Sequence, residues 1–216
     1  MKQSTQRALL ASLLAATLGA ALSACAPAVL GGAVIGSMVA LDRRTSGSQL
    51  EDEGIELRSS SRIREQLGDR VHVNVASYNR QVLLTGEVPN DKDKQQVEQI
   101  VSKVDNVRAI VNELAVLGNT TFTQRSSDAL ITGRVKAGMV DAKDLYAGAF
   151  KVVTERGTTY LMGRVSQREA NRASDIARST VGVQKVVRIL EIISEEELQR
   201  LLPQSAPATQ EPKKAE

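Results

Sequence analysis

Two stretches of this chain repeat each other at a fixed distance, and that repeat constrains the fold more than any other feature. A shift of 77 positions lays Gln81–Val88 on Thr158–Val165, with Leu84 on Leu161, Gly86 on Gly163 and Val88 on Val165. The same shift brings Val73–Ser77, within the His72–Ser77 segment, onto Phe150–Thr154. Further along, Val104–Leu114 matches Val181–Leu190 after a one-residue gap. Two copies of a unit of roughly 65 residues account for this, a size at which a domain is still viable. Two copies make a duplication and not a solenoid, which needs a longer stack.

Each copy follows the same order. Periodicity predicts a short helix first, Leu57–Leu67 and Ser127–Met139, then two strands around a turn. Val71, Val73 and Val75 share one face of the first strand. Asn79-Arg80 and Arg156-Gly157 supply the turns, where positive φ is needed. A second helix is expected over Asp91–Val104 and Gln167–Thr180. Val97, Ile100, Val101 and Val104 form its buried face in the first copy. Ala170, Ala173, Ile176 and Ala177 form it in the second. A last strand closes each unit, Arg108–Val116 and Lys185–Ile193. The order αββαβ predicts an α+β fold with two helices packed on one face of a three-stranded mixed sheet. Units this small bury few side chains, so the two copies are expected to pack on each other. Ser194–Glu197 reads as the start of a short helix over 194–202, stopped by Pro203. The polar tail 203–216 is expected to be disordered.

Composition narrows the chemistry. Hydrophobic residues at 42% and charged residues at 25% exclude wholesale disorder. There are three Tyr, two Phe and no Trp, too few aromatics for a platform that stacks single-stranded nucleic acid. The net charge of +3 mixes both signs, so nucleic acid is not expected as a partner. One His and one Cys exclude a Cys/His zinc site and an internal disulfide within one chain. His72 alternates onto the strand face opposite the valines, which predicts a solvated histidine. No carboxylate spacing marks an acid/base pair, and Gly133 and Gly138 are isolated rather than part of a phosphate loop. The sequence argues for no catalytic residue, no metal ligand set and no cofactor, and against an enzyme.

The N-terminus carries a different kind of signal. Lys2 and Arg7 are followed by no charged residue until Asp42. The apolar run Ala8–Leu22 is short for a bilayer span and suits the h-region of a secretory signal. It ends in Leu22-Ser23-Ala24-Cys25, which resembles the bacterial lipobox. That resemblance implies a signal over 1–24, thioether acylation of Cys25 and a lipidated N-terminus and spacer over 25–50. Two other readings stay open: an ordinary signal peptide with Cys25 a bystander, and an uncut anchor, although Pro27 interrupts the run. Several acyl chains on one Cys exceed what stable anchoring requires. Ala26 stands where, in the enteric sorting rule this resembles, an Asp retains lipoproteins in the inner membrane. Outer-membrane delivery, facing the periplasm, is implied.

The repeated pattern itself, Val82–Val88 with Asn106-Val107 to Leu114 and Tyr160–Val165 with Gly182-Val183 to Leu190, resembles the BON domain. The resemblance covers about Glu51 to Ile193, with BON domains at 51–117 and 126–193. The second copy departs at Arg188, where Asn is usual. The first departs at Asn106, where Gly is usual and Asn also tolerates the left-handed region. A lipobox followed by two such domains is similar to the dual-BON outer-membrane lipoproteins associated with division and envelope integrity.

One segment resists a purely structural reading. In the first helix of the second copy, Ile131, Val135 and Gly138 fall on one side, with Met139 at its edge, and can face the sheet. Leu130, Gly133, Arg134 and Ala137 fall on another, with Arg125, Arg134 and Lys136 around it. An outward Leu beside cations on a flat Gly/Ala surface suits shallow insertion among anionic headgroups. The resemblance implies the same helix, since it binds anionic phospholipid in the dual-BON lipoproteins, where Leu130 is replaced by Trp. The competing reading packs this face on the first copy. The expected lipid-binding residues are therefore Leu130, Gly133, Arg134, Lys136 and Ala137, and the expected partner is an anionic phospholipid membrane. The alternative is a periplasmic adaptor for outer-membrane assembly or cell-wall remodelling proteins.

Overall fold

The computed structural model describes residues 42–118 and 121–201. The signal at 1–24, Cys25, most of the expected spacer and the tail 203–216 lie outside the described residues.

Both copies fold as αββαβ. The first runs α1 (Ser46–Leu67), β1 (His72–Tyr78), β2 (Gln81–Val88), α2 (Asp91–Ser102), β3 (Ala109–Asn112) and β4 (Ala115–Val116). The second runs α3 (Phe122–Asp141), β5 (Phe150–Glu155), β6 (Thr158–Ser166), α4 (Gln167–Ser179) and β7 (Lys185–Ile193), and α5 (Glu195–Leu201) follows. In each sheet the hairpin pair is antiparallel and the last strand lies parallel to the central one. In the first copy that last strand is interrupted at Glu113-Leu114, and β3 and β4 both pair with β2.

Both first helices start earlier than the periodicity indicates. α1 begins at Ser46 and not Leu57, so it takes in part of the expected spacer. α3 begins at Phe122 and not Ser127. Two threonines decide this. Thr45 and Thr121 each cap a helix, accepting from the backbone N–H of Ser48 and Gln124.

The hairpins show why the sequence repeats. Asn79-Arg80 and Arg156-Gly157 all have positive φ, between 50° and 73°, as a two-residue turn matched to strand twist requires. Each turn is held by an aspartate from the preceding first helix. Asp52 accepts from the backbone N–H of Asn79 and Arg80 at 2.7 and 2.8 Å. Asp128 accepts from those of Arg156 and Gly157 at 2.9 Å each. Gly86 and Gly163 occupy equivalent ladder positions, opposite Val73 and Phe150. A Cβ at Gly86 would lie 2.1 Å from the His72 carbonyl oxygen, and one at Gly163 would lie 2.6 Å from that of Ala149. Only glycine fits so close a strand approach.

Three cores stack through the molecule. In the first copy Ile55, Ile63 and Leu67 of α1 and Val97, Ile100 and Val101 of α2 cover Val82, Leu84 and Val88 of β2. In the second, Ile131, Val135 and Met139 of α3 and Ala170, Ala173 and Ala177 of α4 cover Val152, Leu161 and Val165. The third core joins the copies. Ala76, Tyr78 and Leu83 from the other face of the first sheet meet Tyr160, Met162 and Ile189 from the other face of the second. Leu83 and Met162 are fully buried there, each contributing about 1.5–3 kcal/mol. The layers are therefore helix, sheet, sheet, helix, with both helical layers outside.

This arrangement corrects the expectation for His72. It does face away from the valines, but that face is covered by the second sheet. Its Nδ1 lies 2.9 Å from Glu87 Oε2 and its Nε2 lies 3.4 Å from Arg125 Nη1. Nearby, Asn74 donates to Glu155 across the seam at 2.7 Å. A strand pattern read alone shows which face a residue takes, not what covers it.

Candidate lipid-contact surface

Because the sheets join the two copies, no helical face is needed for their packing. The outer face of α3 is left to solvent. Leu130 is 62% exposed, and Gly133, Arg134, Lys136 and Ala137 are all exposed. The competing reading, in which this face packs on the first copy, is overturned by that exposure. On the opposite side of the same helix Ile131, Val135 and Met139 are buried. Gly138 turns toward α4, where a Cβ would lie 3.0 Å from Ile176.

The stripe is longer than the sequence reading made it. Phe122 is 80% exposed and Val140 is 52% exposed, and at 100° per residue both project on the same side as Gly133 and Ala137. The apolar line runs Phe122, Leu130, Gly133, Ala137 and Val140. Arg125 and Lys136 lie along one edge and Arg134 along the other. Arg134 and Lys136 form no ion pair among the described residues. Arg125 is partly engaged by His72. Phe122 and Val140 were missed because the expected helix stopped at Ser127 and Met139. The signal that finds Phe122 is Thr121, a helix cap one residue before it.

Away from this surface, buried carboxylates set the electrostatics of the hairpin turn and the seam. Burial pushes the Asp52 carboxyl up, but hydrogen bonds from Ser77, Arg80, Arg44 and Asn79 outweigh it and hold the group below the usual range. Glu155 goes the other way. Burial pushes it up, and the neighbouring Glu87 and Asp128 charges add to that against the bond from Asn74. Burial likewise raises the Tyr78 hydroxyl to about 12. Its O–H donates to the Ala149 carbonyl across the seam at 3.3 Å.

The BON domain family matches residues 52–118 and 127–193. The chain belongs to the BON-domain family. Each match covers one αββαβ unit except the first residues of its first helix, and the candidate stripe lies mostly on the first helix of the second BON domain. The chain is 37% identical over 171 residues to the outer membrane lipoprotein DolP of Haemophilus influenzae, covering 78% of this chain and 89% of that one. It is 30% identical over 155 residues to a 21 kDa hemolysin of Actinobacillus pleuropneumoniae, covering 71% and 80%. The solved structure of CdsD, a structural protein of the type III secretion system of Chlamydia trachomatis, gives a TM-score of 0.28 at 13% identity, covering 74% and 99%. That likeness is too slight to bear on function. No helix among the described residues is long and apolar enough to cross a membrane.

Proposed function

We propose that this BON-domain protein is an outer-membrane lipoprotein that maintains envelope integrity. It is anchored through Cys25, faces the periplasm and uses the α3 face of its second BON domain to engage anionic phospholipid, at division sites among others. The observation that carries the reading is the exposed apolar stripe, bracketed by cations, on an element that the packing of the two domains leaves free. Shallow insertion removes apolar side chains from water while Arg and Lys stay at headgroup level, where each cation contributes about 1 kcal/mol at an anionic surface. The similarity to DolP supports the location. Binding of this size is weak in solution, and a covalent anchor makes it sufficient by holding the domain beside the membrane at high effective concentration.

The test is flotation of the Cys25→Ala chain with vesicles. Binding to anionic vesicles and not to neutral ones is expected. Equal binding to both, or none to either, refutes lipid recognition by this face. The adaptor reading, with outer-membrane assembly or cell-wall remodelling proteins as partners, draws its support from the first BON domain. There α1 and α2 flank an open polar groove of about 650 Å³ lined by Arg62, Lys92, Gln95, Gln96, Gln99 and Lys103.

A further inference from the structure

The chain enters the folded body through a clip. Asp42–Thr45 lead into α1 of the first BON domain, yet Arg43 is buried in the second. Its Nη1 and Nη2 donate to Glu169 Oε2 and Oε1 at 2.8 and 2.7 Å, and Nη1 also donates to the Arg164 carbonyl at 3.1 Å. Both side chains are out of reach of water, at 1% and 0% exposure. The guanidinium lies 5.7 Å from the centre of the Tyr146 ring. Arg44, the next residue, is fastened to the first domain. It pairs with Asp42 and with Asp52 of α1, and it stacks 4.4 Å over the ring of Tyr78. Two successive arginines thus pin the entering segment, one to each BON domain.

A passive linker runs over the surface and buries no charge. Taking an Arg and a Glu out of water is costly and persists only with good geometry and further hydrogen bonds. Glu169 has both. It faces the planar fork of Arg43 in a bidentate pair, and it also accepts from the Ser166 N–H in the capping box of α4. The site also has a definite address. Tyr146 and Asp144 follow the end of α3, and Arg168 and Arg172, close to Glu169 in α4, bond to Asp144. The clip therefore sits at the Val140 end of the lipid-contact stripe.

We infer that Asp42–Arg44 is a clip that fixes where the acylated N-terminus leaves the body, and that Arg43 and Glu169 are positioning residues presenting α3 to the membrane. The inference rests on the lipid-contact reading of α3. From Cys25 to Asp42 the chain can span at most about 60 Å, so the anchor alone allows either helical layer to approach the bilayer. With the clip closed, the last fixed point of the tether is a corner of the second domain. With it open, the body swivels about the start of α1, which belongs to the first.

The test uses the full acylated chain in anionic bilayers that carry a headgroup quencher. A fluorophore is placed at Ser127→Cys on α3 or at Ser61→Cys on α1, both exposed positions. In the otherwise native chain the label at 127 is expected to be quenched several times more strongly than the label at 61. The Arg43→Gln/Glu169→Gln pair leaves no buried charge and keeps a side chain able to complete the capping box. In that variant the ratio is expected to fall clearly without reaching one, because α3 keeps its own attraction for the anionic surface. Its Cys25→Ala form is expected still to float with anionic vesicles as the native sequence does. Arg43→Lys keeps the charge without the fork and gives an intermediate ratio. An unchanged ratio in the double variant overturns the clip alone. Loss of flotation by its anchorless form also overturns it, because the pair then acts on the shape of α3. Equal quenching of both labels in the native chain overturns the lipid-contact reading, and the clip with it.

Discussion

Phe122 gives the sharpest test of whether α3 inserts or only attracts. It is 80% exposed at the first position of the helix, on the line that continues through Leu130 and Val140. An aromatic side chain of this class buries on the order of 150–250 Å² when fully enclosed. Insertion of half of that area at about 25 cal/mol/Å² contributes roughly 2 kcal/mol, of which Ala retains a small part. Phe122→Ala is therefore expected to weaken partition of the Cys25→Ala chain onto anionic vesicles by about tenfold. The loss should be the same at low and high salt, because the missing contribution is apolar. Phe122→Trp should recover or exceed native binding, since Trp suits the headgroup boundary. The measurement is a vesicle titration by flotation or sedimentation at two ionic strengths. Unchanged partition in Phe122→Ala, or a defect that appears only at low salt, refutes insertion and leaves a purely electrostatic contact.

Other perturbations separate the remaining contributions. Arg134→Glu with Lys136→Glu reverses two charges worth about 1 kcal/mol each near an anionic surface, so binding should fall about a thousandfold at low salt while the melting temperature holds. Leu130→Trp should tighten binding and Leu130→Glu should weaken it, both read in the same titration. Cys25→Ala should abolish fatty-acid labelling and membrane fractionation of the chain in cells, and persistence of either refutes the anchor. Asp128→Asn leaves one of the two hairpin N–H groups facing an amide donor, at a cost of roughly 2–4 kcal/mol seen in denaturant unfolding. Glu155, with its folded pKa raised, binds its proton more tightly in the native state, so its contribution to stability is lost as pH rises through that raised value. Glu155→Gln should accordingly raise the melting temperature near neutral pH and leave it unchanged in the acid range below the usual carboxylate pKa.

How much of this was legible in the sequence depended on distance along the chain. The hairpins were readable because Asn79-Arg80 and Arg156-Gly157 carry their own turn chemistry. Buried helix faces such as Val97, Ile100 and Val101 were readable because their spacing is local. The left-handed residue at Asn106 was anticipated from the resemblance to the BON pattern, in which Gly is usual there. What escaped depended on partners far away. Asp52 and Asp128 look like surface charges on a helix until the hairpins return beneath them. His72 was placed on the correct face, but the sheet that covers it comes from the other copy. Arg43 sits in what reads as spacer, and its partner Glu169 lies 126 residues further on. Of the site itself, the middle of the stripe was legible and its two ends were lost with the helix boundaries.

The duplication also explains why one helix and not its twin is suited to anionic lipid. Asp52 and Asp128 hold equivalent turns, so they set the correspondence between α1 and α3. On that register Leu130 corresponds to Gly54, Arg134 to Arg58 and Lys136 to Ser60. Arg58 is neutralised by Glu51 at 2.7 Å, whereas Arg134 has no such partner among the described residues. α1 carries five carboxylates against three arginines, and α3 carries two against three cations. An anionic surface therefore repels the first helical layer and attracts the second. Exposed leucines are not the distinction, since Leu50 and Leu57 project from α1 as Leu130 does from α3. Under the proposed function, charge biases which layer meets the membrane, and the Arg43–Glu169 clip adds to that bias. Transplanting the register tests this: Glu51→Ser with Ser60→Lys frees Arg58 and adds a cation beside exposed Leu57. If local charge is the determinant, that variant with α3 disabled by Arg134→Glu and Lys136→Glu regains part of the lost binding to anionic vesicles. No recovery, in a chain that melts as the disabled parent does, shows instead that the shape of the α3 stripe, from Phe122 to Val140, is the requirement that α1 does not meet.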